Sequence, residues 1–407
     1  MVEVRTITDG ERDAFFRAMA RGFHFNASDD ETRRFAERLD PARTHGAFDG
    51  DEMVGTARVF PTELTVPGAR TIPAAAVTNV TVASTHRRQG LLTEMMRQEL
   101  ADIASRAEPV AILIASEAAI YGRFGYGVAT EHVLLEIDAV NASFRAPAPP
   151  GSVRLASPEQ MRETAPAVYD QLRRAQPGAI GRDDRYWDVT FGVVPAFGTP
   201  EKGQQFGVVR RDADGAIDGY AQYRITADWD YRIPAGVLEL DDLVALTDDA
   251  YHALWRHCIE VDWITRVRAE NRPPVEPLPQ LLIDPRVVRQ RERADLMWLR
   301  IVDVAAALSA RTYRVADRLV LDVVDEFFDH GGRFVLETTT DAARCAPTSD
   351  AADLTLAVAD LGAAYLGGTA LWPAAAAGRV RAHTAGAVER FDRLFLTDRA
   401  PWCHTWF

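Results

Sequence analysis

The chain has 407 residues, of which 47% are hydrophobic and 26% charged, and its formal net charge is −13. This length is too great for one hydrophobic core and predicts two or three domains of a soluble globular protein. The negative charge disfavours nucleic acid as a partner and favours cationic ligands.

No stretch approaches the ~20 apolar residues that span a bilayer, and Met1–Arg5 lacks the apolar core of a signal peptide. We therefore expect a cytoplasmic protein that has no membrane partner. The three cysteines, Cys258, Cys345 and Cys403, are too scattered for a disulfide framework or a zinc site. The nine histidines show no metal-binding spacing, so no metal is expected.

In chain order, the pattern first predicts an α/β domain over residues 1–142. Helical periodicity is followed by alternating strands and glycine-containing turns. The predicted helices are Glu11–Phe23 and Asp30–Leu39. The predicted strands are Ala47–Phe60 with a turn at Asp49-Gly50, Glu63–Val66, Arg70–Ala74, Val77–Val82, Val110–Ala115 and His132–Ile137.

A short basic turn joins the strand Val77–Val82 to an amphipathic helix. The run from Val80 to Thr93 is V-T-V-A-S-T-H-R-R-Q-G-L-L-T, and apolar residues then recur at helical spacing, so the helix begins near Gly90. The first turn of a helix has unpaired N–H groups and the positive end of the dipole, and Arg87 and Arg88 add guanidinium groups. The turn predicts a diphosphate site. The alternative is a basic loop before an ordinary core helix.

A glycine-rich segment follows the apolar strand Val110–Ala115. It runs from Ser116 to Gly127 as S-E-A-A-I-Y-G-R-F-G-Y-G. Its two tyrosines, Tyr121 and Tyr126, are each either a functional hydroxyl or core filling, and core filling is the preferred interpretation for Tyr126.

The rest of the chain predicts two more domains. The proline-rich stretch Ser143–Gly151 is a linker by composition. Residues 143–288 repeat the strand, turn and helix pattern over Leu238–Trp255, with Asp248 and Asp249 in place of the basic pair, so this copy would repel a diphosphate. Residues 289–407 add further strands and helices, and the chain ends on the aromatic run P-W-C-H-T-W-F, which predicts a buried tail.

The first motif resembles the acetyl-CoA motif of the GNAT superfamily of N-acetyltransferases, with Leu92 where a second small residue is usual. Together the two motifs closely resemble the Eis (enhanced intracellular survival) subfamily, actinobacterial enzymes that acetylate aminoglycosides at several positions. The resemblance implies an α/β (α+β) fold with tandem GNAT domains, the second degenerate, followed by a sterol-carrier-protein-like domain whose C-terminus reaches the active site. It also implies acetyl-CoA as co-substrate and a homo-hexamer.

Site residues follow from the same resemblance. Tyr121 would be the general acid, and the terminal carboxylate of Phe407 would take the amine proton through water. The alternative for the tail is simple packing or an oligomer contact. The cofactor-binding residues would be Val80, Thr81, Val82, Arg87, Arg88, Gln89, Gly90, Leu91, Leu92, Thr93, Ser116 and Glu117.

The acceptor pocket departs from the family pattern. Aminoglycoside-acetylating members carry acidic side chains at positions that align with Phe25 and Trp406, and Phe35 and Asn79 complete the expected pocket. This pocket is more aromatic and less acidic, although cations also bind aromatic faces. Arylalkylamines and protein lysines are therefore alternatives to aminoglycosides. A non-catalytic acetyl-CoA sensor or a lipid-binding protein is the alternative from another class.

Overall fold

The structure is a computed structural model that describes residues 2–26, 28–194 and 204–407. The chain forms two compact units that are not consecutive in sequence. The first unit takes the chain up to Thr130, then Leu296–Arg399 and Trp406–Phe407. The second takes Glu131–Asp295 and Ala400–Thr405. Within these described ranges, each unit has its own seven-stranded sheet.

The N-terminal part of the first unit consists of a mixed sheet and four α-helices. Its strands are β1 (Glu3–Thr6), β2 (Thr44–Asp49), β3 (Glu52–Val66), β4 (Arg70–Val82), β5 (Val110–Ile114) and β6 (Gly127–Val128). Its helices are α1 (Arg12–Gly22), α2 (Asp29–Ala36), α3 (Leu91–Ser105) and α4 (Ala118–Tyr121), with short 3-10 helices at Asp9–Glu11, Pro41–Arg43, Ser84–His86 and Gly122–Phe124. The sheet order is β1-β2-β3-β4-β5, then the distant strand Met297–Ile301, then β6.

Strands β3 and β4 form one long hairpin. The prediction that divided this region into Glu63–Val66, Arg70–Ala74 and Val77–Val82 was wrong, because β3 and β4 run unbroken for 15 and 13 residues. Pro61 does not end β3, since β2 pairs with β3 only as far as Arg58. Beyond that point one edge of β3 needs no N–H donor, and a proline is tolerated there.

The second unit repeats the strand, helix and strand arrangement on its own sheet. Its strands are β7 (Glu131–Asp138), β8 (Ser152–Ala156), β9 (Gln204–Arg211), β10 (Ile217–Thr226), β11 (Trp229–Asp230), β12 (Ile233–Pro234), β13 (Gly236–Ala245), β14 (Ile264–Arg272) and β15 (Val288–Asp295). Its helices are α5 (Pro158–Ala175), α6 (Asp184–Thr190), α7 (Asp248–Ile259) and α8 (Leu278–Leu281), with a 3-10 helix at Pro285–Val287. The sheet order is β15-β7-β14-β13-β10-β9-β8.

The repeat predicted over Leu238–Trp255 is confirmed, because β13 leads into α7 and then into the parallel strand β14. Asp248 and Asp249 lie in the first turn of α7. The strand β7, which the sequence pattern grouped with the first domain, pairs with β14 and β15.

The C-terminal part of the first unit adds a five-stranded sheet. The strands of this part of the chain are β16 (Met297–Ile301), which joins the first sheet, and the five strands of the new sheet, β17 (Asp317–Val324), β18 (Gly332–Thr338), β19 (Ala343–Pro347), β20 (Leu354–Ala357) and β21 (Arg381–Ala382). Its helices are α9 (Val304–Ala310), α10 (Val358–Ala364), α11 (Trp372–Ala376) and α12 (Ala387–Phe395). The sheet order is β19-β18-β17-β20-β21, and β16 lies in the first sheet between β5 and β6.

All three cysteines are free and buried. Burial raises the pKa of the thiols of Cys258, Cys345 and Cys403 to about 12. Among the described residues, no group of three or more His, Cys, Asp or Glu side chains could hold a metal ion. None of the described helices combines the length and the apolar character that crossing a bilayer requires.

Candidate active site

The site begins where β4 and β5 separate. These parallel strands pair at only three positions, from Ala74 opposite Val110 to Ala76 opposite Ile112. β4 then continues to Val82 and remains paired with β3 on its other side. A bulge at Asn79, whose φ is 55°, interrupts that pairing. The end of β4 therefore has one backbone edge that β5 does not cover.

The N-terminus of α3 forms the second part of the site. Gly90 is its N-cap with a φ of 81°, and no side chain of the described residues caps this end. Arg88, with a φ of 65°, also lies in the left-handed region. The first N–H groups of an uncapped helix are free to bind an anion. The prediction that the helix begins at Gly90 is confirmed, since α3 starts at Leu91.

The end of β4 and the N-terminus of α3 both line a cavity of about 940 Å³. Most of the predicted cofactor residues and the predicted general acid share its wall. These are Val80, Thr81, Val82, Arg87, Arg88, Gly90, Leu91, Leu92, Thr93, Ser116, Glu117 and Tyr121. The other predicted site residues, Gln89, Asn79, Phe25, Phe35, Trp406 and Phe407, are not part of this wall.

Sequence reasoning missed several polar residues of the cavity. Arg21, His24, Glu52 and Arg123 also line it. Arg21 comes from the end of α1, where it lies 3.5 Å from Glu52 and donates to the Met53 carbonyl at 2.8 Å. No sequence signal links α1 to the cavity, because only the fold brings the two together. Arg123, by contrast, is two residues beyond Tyr121, and its charge inside the glycine-rich segment was a usable signal.

Tyr121 lies on the cavity wall but is only 9% exposed. Burial, with smaller contributions from Glu99 and Glu117, raises the pKa of its hydroxyl to about 12. The hydroxyl therefore stays protonated and can donate to an anion that develops in the cavity. The Tyr126 ring packs edge-on against the Tyr121 ring, with ring centroids 6.1 Å apart. Tyr126 is 1% exposed, and its hydroxyl has no hydrogen-bond partner among the described residues.

A buried carboxyl group stands beside these tyrosines. Glu99 of α3 is 0% exposed, and neither of its carboxyl oxygens has a hydrogen-bond partner among the described residues. Burial, and to a smaller extent the charge of Asp102, raises the pKa of Glu99 to about 8. The group is therefore neutral at pH 7. The helical spacing did not reveal it, because a single glutamate on an apolar face has no distinctive pattern.

A chain of aromatic contacts includes three of the other predicted residues. Phe16 contacts both Phe25 and Phe35, with centroids 6.1 and 4.6 Å away. The guanidinium of Arg58 lies over Phe35 at 5.6 Å and over Phe60 at 5.7 Å. The Phe60 ring in turn meets the ring of the last residue, Phe407, at 6.0 Å. The aromatic character predicted for this region is therefore present, together with an arginine that the sequence analysis did not single out.

The remaining two predicted pocket residues lie differently. Trp406 is 62% exposed, so burial of the tail is confirmed for Pro401–Thr405 but was wrong for Trp406. Phe407 is half-buried. Asn79 forms the bulge of β4, where its backbone carbonyl accepts a hydrogen bond from the Thr56 hydroxyl at 2.8 Å.

Within the second unit, polar contacts hold the segment Ala400–Thr405. Arg182 donates to the Thr405 hydroxyl at 3.0 Å and to the His404 carbonyl at 3.1 Å, and it pairs with Asp242 at 2.7 Å. The hydroxyls of Tyr169 and Thr405 are 2.9 Å apart. Buried and partly buried hydrogen bonds therefore hold the segment Ala400–Thr405 in place.

Comparisons with known proteins agree with this geometry. Three family models match the chain: a GNAT acetyltransferase domain over residues 3–129, a second GNAT acetyltransferase domain over residues 178–301 and a sterol carrier protein domain over residues 304–404. An uncharacterized N-acetyltransferase from Streptomyces avermitilis is 42% identical over 414 residues, which is 100% of this chain and 99% of the relative.

Two further relatives carry a family name. N-acetyltransferase Eis from Mycobacterium tuberculosis is 39% identical over 361 residues, which cover 87% of this chain and 85% of that protein. The crystal structure of Eis1 from Mycobacterium abscessus matches with a TM-score of 0.86 and 34% identity over 100% of both chains. The chain belongs to the Eis family of GNAT N-acetyltransferases. As an Eis-family protein it is an acetyl-CoA-dependent acyltransferase.

The predicted Eis-type fold is confirmed, since two GNAT domains precede a sterol-carrier-protein domain. The non-catalytic alternative finds no support among relatives that are named N-acetyltransferases. The domain limits predicted at 142/143 and 288/289 stay predictions.

Proposed function

We propose that this enzyme transfers the acetyl group of acetyl-CoA directly to primary amines of cationic small molecules, aminoglycosides first among them and at more than one position. The observation that carries the proposal is one cavity that contains an uncapped helix N-terminus, an uncovered strand edge and the buried hydroxyl of Tyr121. Acetyl-CoA needs these three features for its diphosphate, its amide-containing arm and its sulfur.

Binding of the co-substrate follows from the first two features. The N–H groups from Arg88 to Thr93 and the side chains of Arg87 and Arg88 would hold the diphosphate. Backbone groups of Val80 and Val82 would pair with the amides of the pantetheine arm as an added strand. The Val82 N–H is our candidate for polarising the thioester carbonyl.

Two groups would move protons. The Phe407 carboxylate, through water, would take the proton from the attacking amine, and Tyr121 would donate to the departing thiolate. The tertiary contact between the Phe407 and Phe60 rings supports a fixed position for the terminus. No cysteine is among the residues that line the cavity, which supports direct transfer without an acyl-enzyme.

The acceptor is the least constrained part of the proposal. The net charge of −13 favours polycations such as aminoglycosides. The partly exposed rings of Phe25 and Phe35, which both contact the buried Phe16, favour arylalkylamines as a second candidate, because a flat apolar group can stack there. Arg58, which lies over Phe35, adds positive charge to the same region and weakens the case for highly charged acceptors.

Assembly and location belong to the same proposal. We expect the homo-hexamer that the family resemblance implies, and light scattering of the purified protein measures it. We also expect a cytoplasmic enzyme, which fractionation of the producing cells tests.

The experiment that tests the function is thiol release from acetyl-CoA by untagged protein with aminoglycosides, arylalkylamines and lysine-containing peptides in parallel. Turnover with several aminoglycosides, and mass increases of more than one acetyl group per molecule, support the first candidate. Turnover only with aromatic amines favours the second, and turnover only with peptides favours a protein-lysine acetyltransferase. Absence of amine-dependent thiol release with every acceptor would overturn the proposed function.

A further inference from the structure

A fully buried arginine lies beside the segment that follows Tyr121. Arg300 of β16 is 0% exposed. Its Nη1 donates to the Phe124 carbonyl, and its Nη2 donates to Oδ2 of Asp325 at 2.5 Å. These two pairings offset the cost of burying the guanidinium, whose Nε has no hydrogen-bond partner among the described residues. The fork of Arg300 therefore joins a backbone carbonyl near Tyr121 to a carboxylate from a different part of the chain.

The backbone between Tyr121 and Tyr126 forms a tight turn around that fork. The Tyr126 N–H donates to the Tyr121 carbonyl at 3.3 Å, and the Gly125 N–H donates to the Gly122 carbonyl at 3.1 Å. Gly125 has a φ of 82°, and a Cβ at this position would lie 1.8 Å from Nη1 of Arg300. The guanidinium thus occupies the space that any other residue at position 125 would need. A glycine at position 125 is therefore required for the Arg300 guanidinium to reach this turn.

The carboxylate partner comes from the C-terminal part of the first unit. Asp325 directly follows β17, and its Oδ1 accepts hydrogen bonds from the N–H groups of Phe327 and Phe328 at 3.3 and 3.2 Å. The Phe327 ring packs edge-on against the Phe124 ring, with centroids 4.9 Å apart. The segment that holds Arg300 in place therefore also packs on the turn that Arg300 binds.

We propose that Arg300 and Asp325 are positioning residues for Tyr121, which they hold by fixing the Phe124 carbonyl and the turn between Tyr121 and Tyr126. The proposal rests on the proposed role of Tyr121 as the general acid. A lysine could not replace Arg300, because a single ammonium group lacks the planar fork that reaches both acceptors. The sterol-carrier-like domain would then act in catalysis through Asp325, independently of any lipid.

The test compares Asp325→Asn with wild type in steady-state kinetics and acetyl-CoA titration. Asparagine keeps the shape and an acceptor oxygen but removes the charge that holds the guanidinium. We expect kcat to fall about tenfold, the loss assigned to a displaced general acid, while the dissociation constant for acetyl-CoA changes less than twofold. Asp325→Glu, which keeps the charge, is expected to recover part of the lost kcat.

A matched variant controls for general destabilisation. Asp218 of the second unit pairs with the buried Arg210, and the exposed fractions of these side chains are 10% and 2%. Asp218→Asn therefore also leaves a buried arginine without its carboxylate. We expect a comparable drop in melting temperature with kcat retained. Equal loss of kcat in both variants would overturn the positioning role.

The decisive measurement repeats Asp325→Asn in a Tyr121→Phe background. If Asp325 acts through the Tyr121 hydroxyl, the second substitution has no further effect on kcat. Additive losses would overturn the proposal, and so would wild-type kcat in Asp325→Asn. If Tyr121→Phe alone retains full kcat, the general-acid role fails and the positioning role fails with it. If Asp325→Asn does not fold, Asp325→Glu replaces it in the same comparison. An equal loss of kcat with Tyr121 present and with Tyr121→Phe would again overturn the proposal.

Discussion

Two tyrosines five positions apart have different surroundings. Tyr121 lines the cavity, whereas Tyr126 is buried behind it with its hydroxyl unpaired among the described residues. Burial raises the pKa of both hydroxyls, so each remains protonated at neutral pH. The two tyrosines differ in access to the cavity, which Tyr121 lines and Tyr126 does not. This supports the assignment made from sequence, in which Tyr121 and not Tyr126 acts on the leaving thiolate.

We predict that Tyr121→Phe lowers kcat at least about tenfold, since a general acid contributes that much or more. The dissociation constant for acetyl-CoA should stay within twofold, because the hydroxyl is needed only as the C–S bond breaks. Steady-state kinetics and calorimetric titration measure the two quantities. Tyr126→Phe is the control and should keep kcat, while unchanged turnover in Tyr121→Phe would remove that residue from the mechanism.

Glu99 predicts an unusual pH dependence of stability. Its pKa is about 8 in the folded protein and near the ordinary value of 4.5 when the chain unfolds. The folded protein therefore binds one more proton than the unfolded chain between these pH values, so stability falls as pH rises through that window. Each pKa unit corresponds to about 1.4 kcal/mol.

We expect the melting temperature of wild type to fall more steeply between pH 6 and pH 8 (roughly the upper half of that window) than that of Glu99→Gln, which carries no titrating group there. Thermal unfolding monitored by circular dichroism measures the difference. Glu94→Gln is the control, because its carboxyl is half-exposed on the same helix. Parallel curves for wild type and Glu99→Gln would show that Glu99 is not the source of the dependence.

At the scale of single elements, the helix α3 has a structural role and a proposed binding role. Its apolar face was predicted from Leu91, Leu92, Met95, Met96, Leu100 and Ile103, and all of these are buried except Leu92, which is partly buried. Its N-terminus is left without a side-chain cap, which costs helix stability but leaves N–H groups available to a ligand. The helix thus combines a conventional core face with an unsatisfied end that a bound anion would stabilise.

Gly90→Ala tests that end of the helix. The substitution meets no neighbouring atom within 4 Å, so its effect comes from the φ of 81° alone. An L-residue in that conformation costs about 1–2 kcal/mol, and a shift of the turn to relieve it would displace the diphosphate site. We expect the dissociation constant for acetyl-CoA to rise about fivefold to tenfold, as measured by calorimetric titration.

Gly386→Ala provides a matched control for this substitution. Gly386 is the N-cap of α12, has a φ of 73° and likewise has open space around the position of a Cβ. The Gly386→Ala variant should lose about as much stability as Gly90→Ala and keep the wild-type affinity for acetyl-CoA. If both variants bind the co-substrate as wild type does, α3 does not hold the diphosphate.

The sequence allowed prediction of elements whose pattern is local. Three examples are the buried face of α3, the beginning of that helix at Gly90 and the repeat in β13 and α7. Each depends on residues close together in the chain. The bulge at Asn79 and the separation of β4 from β5 were not predictable from spacing, because they depend on where neighbouring strands stop pairing. Arg21, Arg58 and Arg300 were missed for a related reason, since distant elements bring them to the site.

On the scale of the whole molecule, the sequence order of segments and their spatial grouping differ. β16 completes the sheet of the N-terminal part, and the chain crosses between the two units again near its end. Composition marked a linker at Ser143–Gly151, but the compact units change at Thr130 and Leu296. Proline content predicts where a chain is extended, and it does not predict which sheet receives the next strand.

The proposed role of the Phe407 carboxylate can be tested by extending the chain. A short Gly-Ser extension after Phe407 should lower kcat at least about tenfold, because it replaces the terminal carboxylate with a neutral amide. The buried segment Pro401–Thr405 should stay in place, so the melting temperature should hardly change. The same extension at the N-terminus is the control. A C-terminally extended enzyme with full turnover would eliminate Phe407 as the base.

The buried cysteines have a practical consequence for the thiol-release experiment. With pKa values raised to about 12, Cys258, Cys345 and Cys403 carry almost no thiolate at neutral pH, and all three side chains are buried. A disulfide dye added to the folded enzyme would therefore change colour only through the coenzyme A that turnover liberates. Enzyme without acetyl-CoA therefore serves as the blank, and a slow colour change in that sample would report unfolding.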